Sequence, residues 1–339
     1  MDIIHSYQED PVDPCQNLVY LAKPVYGGWV TFTAHLSRKY SYPIHKVTKA
    51  SEKTTRDYGY GCVYRNRAIQ DVVGLPNLMI TAADKHFWHY LQFFPEGTKI
   101  VIHDPTECKF HKDGNPLVQE TAYGSHLLRR FQVYTIRSTV QEYLLKTFQI
   151  SSTFLKHPFY PSVIPPTLQG LGYPNVSIAR IDFDKNTDIL LRANPLIRDP
   201  QKRIRLFGAE NRLYVYHQLR ELGFVEYWLG KFPKEMLPTY EGQGILHGAL
   251  YMIDLSTIKN DGGGTQYTFL EAIHQGCVLI LNQSWIEGGT TFESGRNCIG
   301  VKDEHELATF LNKGLTRAVH AKLVKASRTL LQAHVDVRW

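Results

Sequence analysis

The chain has no uninterrupted apolar stretch approaching the roughly 18 residues that a membrane-spanning helix needs. Its start, MDIIHSYQEDPVDP, is acidic and polar, without the basic-then-apolar order of a secretory leader. The expectation is a cytoplasmic protein, inside a host cell if viral, with no membrane partner. The five cysteines, Cys15, Cys62, Cys108, Cys277 and Cys298, are odd in number and scattered, with no CxxC pair, so free thiols are expected. The fifteen histidines show neither HxxxH nor HExxH spacing, and no metal is expected. There is no GxSxG elbow and no convincing cysteine nucleophile. Internal repeats and low-complexity tracts are missing as well.

What is present is 339 residues, 43% hydrophobic and 21% charged, a length that suits two α/β domains better than one. The net charge of +6 fits a phosphate-rich partner without requiring one. In the first half an apolar run at 17–22 reads as a buried strand. Gly27 and Gly28 turn the chain, and 29–40 reads as a helix. This is the opening unit of a doubly wound domain, which binds ligands at the carboxyl ends of its strands. Further strands are expected at 78–81, 99–103 and 132–136. Helices are expected at 85–94 and 139–148, the latter capped by Ser138 or Thr139. Pro158, Pro161, Pro165 and Pro166 interrupt the rhythm and mark an interdomain linker. Strands then return at 176–180, 204–207, 249–255 and 277–281. Helices are expected at 188–193, 213–222, 304–313 and 316–334. The expected domains are therefore 1–158 and 166–321, with a last helix at 322–339 reaching back to the first.

Four constellations carry possible chemistry. The first is 261–276, DGGGTQYTFLEAIHQG, a glycine run opening an amphipathic helix. Glycines without Cβ let a ligand approach the backbone, and the free N–H groups of a helix start favour an anion. Gly263, Gly264, Thr265, Gln266 and Tyr267 would meet phosphates. Glu271, deeper in the helix, would accept from ribose hydroxyls. No Gly-Lys-Ser/Thr follows, so this is no Walker loop, and contiguous glycines exclude the dinucleotide fingerprint. An ordinary strand–helix connection is the alternative. The second is Arg180 with Lys185 five residues on, a fork and a point charge able to clamp a diphosphate; Asp182 and Asp184 could instead satisfy both locally. The third is His103-Asp104 at the end of an apolar strand. Asp104 would orient an acceptor hydroxyl or stabilise positive charge on a sugar ring, and His103 would shuttle a proton. Asp-Pro also starts ordinary turns, and both readings stand. The fourth, 55–67, interleaves Arg56, Arg65 and Arg67 with Tyr58, Tyr60 and Tyr64. Arginines neutralise phosphates and tyrosine faces stack on bases, although a solvated loop would look the same.

Together these pieces resemble the GT-B glycosyltransferases, in which two Rossmann-like domains face each other across a cleft. Within that group the chain is similar to the DNA α-glucosyltransferases of T-even phages, on Tyr267-Thr268-Phe269-Leu270-Glu271 and His103-Asp104. The resemblance implies retaining transfer from a UDP-sugar to 5-hydroxymethylcytosine in double-stranded DNA. A monomer without a cofactor is expected. It implies that Gly27 and Gly28 face the donor phosphates, that Arg180 and Lys185 contact the diphosphate, and that Glu271 holds the ribose. Many retaining members carry a second acid eight residues before the ribose-binding one. Here that position is Gly263, which leaves the sugar open between UDP-glucose and a pentose donor such as UDP-arabinose. A glycan or lipid acceptor, and a catalytically silent DNA-binding module, are the alternative readings.

Overall fold

A computed structural model of the chain describes residues 15–23, 27–49, 55–57, 62–84, 86–108, 126–161, 172–230, 241–257, 265–287 and 291–339. Their strands form two sheets. The first has eight strands in the order β3-β4-β2-β1-β5-β6-β7-β8. These are β1 Asn17–Leu21, β2 Ile44–Val47, β3 Thr55–Asp57, β4 Val63–Arg67, β5 Leu78–Ala83, β6 Lys99–Ile102, β7 Gln132–Thr135 and β8 Thr153–Phe154. All pairs are parallel except β3 with β4. The second sheet runs β10-β9-β11-β12-β13, all parallel, with β9 Asn175–Ile178, β10 Arg205–Phe207, β11 Tyr251–Asp254, β12 Val278–Asn282 and β13 Ile299–Val301. The central strands β5, β9 and β11 are buried along their whole length, as parallel strands covered on both faces must be.

The helices that matter for the site follow strands. Helix α1, Gly28–Tyr40, follows β1, and α2, Ser138–Phe148, follows β7. Helix α3, Thr187–Ala193, lies between β9 and β10, and α4, Tyr267–Gln275, joins β11 to β12. The expected cap of α2 by Ser138 or Thr139 is not realised. Arg137 occupies the N-cap, and no side chain caps the helix end. The expected helix at 85–94 is a 3₁₀ segment, Trp88–Phe93. The one at 213–222 is broken into an α turn, a π segment and a 3₁₀ turn. Among the described residues no helix is long and apolar enough to cross a membrane. Cys15, Cys62, Cys277 and Cys298 are free thiols, and the last three are buried.

The two halves share one hydrophobic core. It joins Leu18, Tyr20 and Phe32 of the first half to Met252, Phe269 and Trp285 of the second. The stretch 157–159 is buried within it rather than exposed as a bare linker. Phe159 stacks on His35 of α1, and the Tyr160 N–H donates to His35 Nδ1 at 3.0 Å. Across the same joint, Tyr267 of α4 lies flat on His35 with ring centroids 4.8 Å apart, and its hydroxyl donates to the Pro158 carbonyl at 3.1 Å. The last helix, α5, Arg317–Val335, packs on α4. The tail beyond it meets the first half, where Trp339 packs edge-on to Phe32 and its indole N–H donates to the Lys156 carbonyl.

Candidate functional site

In both sheets the candidate residues gather at the carboxyl edge, where a parallel α/β sheet presents its loops to ligands. Gly27 and Gly28 follow β1. His103 and Asp104 follow β6. Arg180 and Lys185 follow β9, and α4 with Glu271 follows β11. The contact of His35 with Tyr267 sets the two edges face to face. His35 lies seven residues into α1, about 10 Å along the axis from Gly28 at 1.5 Å per residue. Tyr267 and Glu271 are four residues apart, so the acid lies one turn along the face of α4 that meets α1.

Glu271 is 6% exposed. Among the described residues its Oε1 has no hydrogen-bond partner, and neither has the Thr268 Oγ1 one turn earlier. Burial pushes its carboxyl up to about 8. A desolvated acid with an open acceptor is poised for hydroxyl donors from a ligand. Thr265 and Gln266 precede the helix and are half-buried. Gly263 and Gly264 lie outside the described residues.

Arg180 is held by Asp182 at 2.9 Å and by Asp184 at 3.6 Å, with its guanidinium largely exposed. Lys185 ends the 3₁₀ turn Phe183–Lys185 and is half-buried. Just before Arg180 the chain is approached closely by Gly208, which has φ +150°; a Cβ there would lie 1.7 Å from the Ala179 carbonyl oxygen. No side chain fits at that approach, a constraint the sequence alone does not disclose.

His103 is 6% exposed, and its Nε2 lies 2.7 Å from the Thr81 carbonyl oxygen. A carbonyl only accepts, so Nε2 carries the proton and Nδ1 is the basic nitrogen of the neutral ring. Burial lowers its pKa to about 4. Asp104 pairs with Arg137 at 3.3 Å. Three further groups here carry no sequence motif. Glu107 is 6% exposed and accepts from the Trp29 indole and the His103 N–H. Asp84 accepts from the N–H groups of Lys23 and His86, which pins the entry to the Gly27–Gly28 loop. Lys46 donates to the Ala22 carbonyl at 2.6 Å, and burial lowers its pKa to about 8.

The fourth constellation is corrected in part. Residues 55–57 and 63–67 are strands β3 and β4 rather than an open loop. Strand period two turns Val63 and Arg65 outward and Tyr64 and Asn66 inward, with Arg67 half-buried. Tyr64 is fully buried, packs edge-on to Tyr20 and donates to the Val30 carbonyl. Its ring face is closed to a base. Tyr58, Tyr60 and the Arg56 side chain lie outside the described residues. β4 lies four strand positions from β6, about 19 Å across the sheet at 4.8 Å per strand. Among the described residues no group of three or more His, Cys, Asp or Glu side chains is placed to hold a metal ion.

No protein-family model matches the chain, and no curated protein is detectably similar in sequence. Solved structures are similar over nearly the whole chain. An α-glucosyltransferase bound to UDP-glucose and DNA containing an abasic site, from T4, is 13% identical with a TM-score of 0.67, covering 95% of this chain and 96% of that one. Anabaena HepE bound to UDP and glucose is 13% identical with a TM-score of 0.64, over 95% and 96%. A glycosyltransferase from Rickettsia africae is 11% identical with a TM-score of 0.60, over 95% and 94%. The two parallel sheets, joined through α1 and α4 with their carboxyl edges facing, give this chain the GT-B fold of the glycosyltransferases.

Proposed function

We propose that the chain is a glycosyltransferase that moves a sugar from a UDP-sugar to 5-hydroxymethylcytosine, or a related hydroxylated base, in duplex DNA with retention. The observation that carries the donor half is Glu271, a buried carboxyl with an unpartnered oxygen on the helix face that meets the opposite domain. In this reading Glu271 takes the ribose hydroxyls. Gly27, Gly28, Arg180, Lys185 and the amides around 262–265 stabilise the departing diphosphate, electrostatic help aimed at charge that develops in the transition state. Asp104, oriented by Arg137, stands at the reacting carbon or the acceptor hydroxyl with His103 beside it. A base inside a duplex has to leave the stack to reach such a cleft. Arg65 and Arg67, with Arg56, Tyr58 and Tyr60, would track the strand without Tyr64. The likeness to a DNA-bound α-glucosyltransferase over both halves supports this acceptor.

A second reading keeps the donor and replaces DNA by a glycan or lipid carrier. It draws on the burial of Tyr64, which removes a base-stacking face from the proposed DNA contact. The test is a mass-spectrometric panel of UDP-hexoses and UDP-pentoses with hydroxymethylcytosine-containing and unmodified duplexes. Mass gain on the modified duplex alone is the expected result. UDP release with no change in DNA mass would move the acceptor elsewhere. Salt-sensitive DNA binding without turnover of any donor would favour a silent module.

A further inference from the structure

Glu107 is the buried acid that the reading above leaves without a task. It sits in the turn Pro105–Cys108, just past His103-Asp104, yet its side chain reaches to the start of α1. Oε1 accepts from Trp29 Nε1 at 3.0 Å. The His103 backbone N–H points between its two oxygens, at 3.2 and 3.3 Å. One carboxyl thus joins the residue after Gly27-Gly28 to the residue before Asp104, two segments 74 positions apart in the chain (Trp29 to His103). We propose that Glu107 is a positioning residue, locking the Gly27–Gly28 end of α1 to the His103–Asp104 turn so that the two move as one unit.

The proposal rests on the reading of Gly27-Gly28 as the loop facing the donor diphosphate. Helix starts attract phosphate through N–H groups and dipole, and an anion buried beneath them would work against that attraction. The surroundings keep the carboxyl neutral. Burial raises its pKa to about 8, and Asp104 adds to the rise. The Trp29 and His103 hydrogen bonds and the Arg137 guanidinium oppose it without overturning it. His103, the other titratable neighbour, is already neutral above about 4. A neutral carboxyl still accepts from both N–H groups, and a carboxamide of the same shape can do likewise.

The test uses E107Q, E107A and W29F in the full chain, with two readouts. The first is the ¹H–¹⁵N indole resonance of Trp29 in the absence of nucleotide, assigned by its loss in W29F. In the wild type it should shift with a midpoint near 8, and in E107Q it should stay flat. The second is the dissociation constant for UDP at pH 7. E107A and W29F should each weaken it about tenfold, the worth of one buried hydrogen bond, and the double variant should be no worse than either. E107Q should restore UDP binding to within about twofold of the wild type. A Trp29 resonance that ignores both pH and E107A would overturn the link. So would folded E107A that binds UDP as the wild type does, or E107Q as damaging as E107A. If the wild type bound no UDP the donor reading would fall instead, and the indole titration would still decide the link.

Discussion

The binding of UDP should expel a proton from Glu271. Buried and lacking a partner for Oε1, this carboxyl is neutral at pH 7, about one unit below its pKa of about 8. Ionising it there costs about 1.4 kcal/mol. A hydrogen bond to a charged acceptor is worth about 1.5–3 kcal/mol, and a ribose offers two hydroxyls. The gain exceeds the cost, so the bound state holds Glu271 ionised while the free state holds it neutral. The sign follows by linkage. The complex carries one proton fewer, so affinity rises with pH below the free pKa, approaching tenfold per unit, and levels off above about 8. Calorimetry of UDP in buffers of different ionisation enthalpy reads the proton directly. E271Q, neutral at every pH, should lose this slope, and its curve retains every other titration, Glu107 included, so the difference belongs to Glu271. E271A should weaken UDP at least about tenfold at pH 7. E271Q should melt no lower than the wild type, because the carboxyl it replaces is already uncharged and half unpartnered. Parallel pH slopes for wild type and E271Q, or E271A binding UDP at full strength, would refute the reasoning.

Thermal stability should peak near pH 6.5. His35, His45 and His103 are lowered by burial to about 3, 4 and 4, so the stability they support is intact above 6.5 and drains as pH falls toward 4. Glu107 and Glu271 are raised to about 8, so stability declines as pH climbs from about 4.5 through 8, and an E107Q/E271Q pair should flatten that alkaline limb in a melting series. R180A should shift unfolding in urea by no more than about 0.5 kcal/mol, since its ion pairs are exposed, while weakening UDP about tenfold at low salt. W339A should cost about 3–5 kcal/mol of unfolding free energy, because Trp339 is 7% exposed and packs on Phe32 and Tyr134. An unchanged denaturation midpoint would mean the tail does not clamp the two halves.

The elements that carry the proposed donor residues were legible because their signals are local. Gly27-Gly28 before a helix, Glu271 one turn into another, and Arg180 with Lys185 around a turn all advertise themselves within a dozen residues. The parallel α/β architecture was legible for the same reason, as apolar runs alternate with amphipathic ones. What escaped was set by distance in sequence. Glu107 takes its meaning from Trp29, Asp84 from Lys23, and Gly208 from the carbonyl of Ala179. No window along the chain contains both members of any of these pairs. Tyr64 failed for a different reason. An arginine–tyrosine alternation is also the period-two pattern of a half-buried strand, and that pattern turns Arg65 to solvent and Tyr64 to the core.

That same error bears on the acceptor. A carboxyl buried in a helix, as Glu271 is, is held in place by the packing around it. An acceptor meets loops and strand edges, which tolerate change far more readily than a buried helix. With Tyr64 in the core, the described residues of β4 leave exposed Arg65 and half-buried Arg67 as the cations proposed to meet phosphates, with no stacking face among them. Arginines without stacking give affinity for any polyanion, governed by salt. Discrimination of a flipped base would then fall to the cleft beside Asp104 and Arg137, not to the edge. R65A/R67A should therefore weaken modified and unmodified duplex alike and lower the salt slope by about two phosphate contacts. It should leave any preference for the hydroxymethylated base intact. Loss of that preference in R65A/R67A would place base recognition on the edge after all.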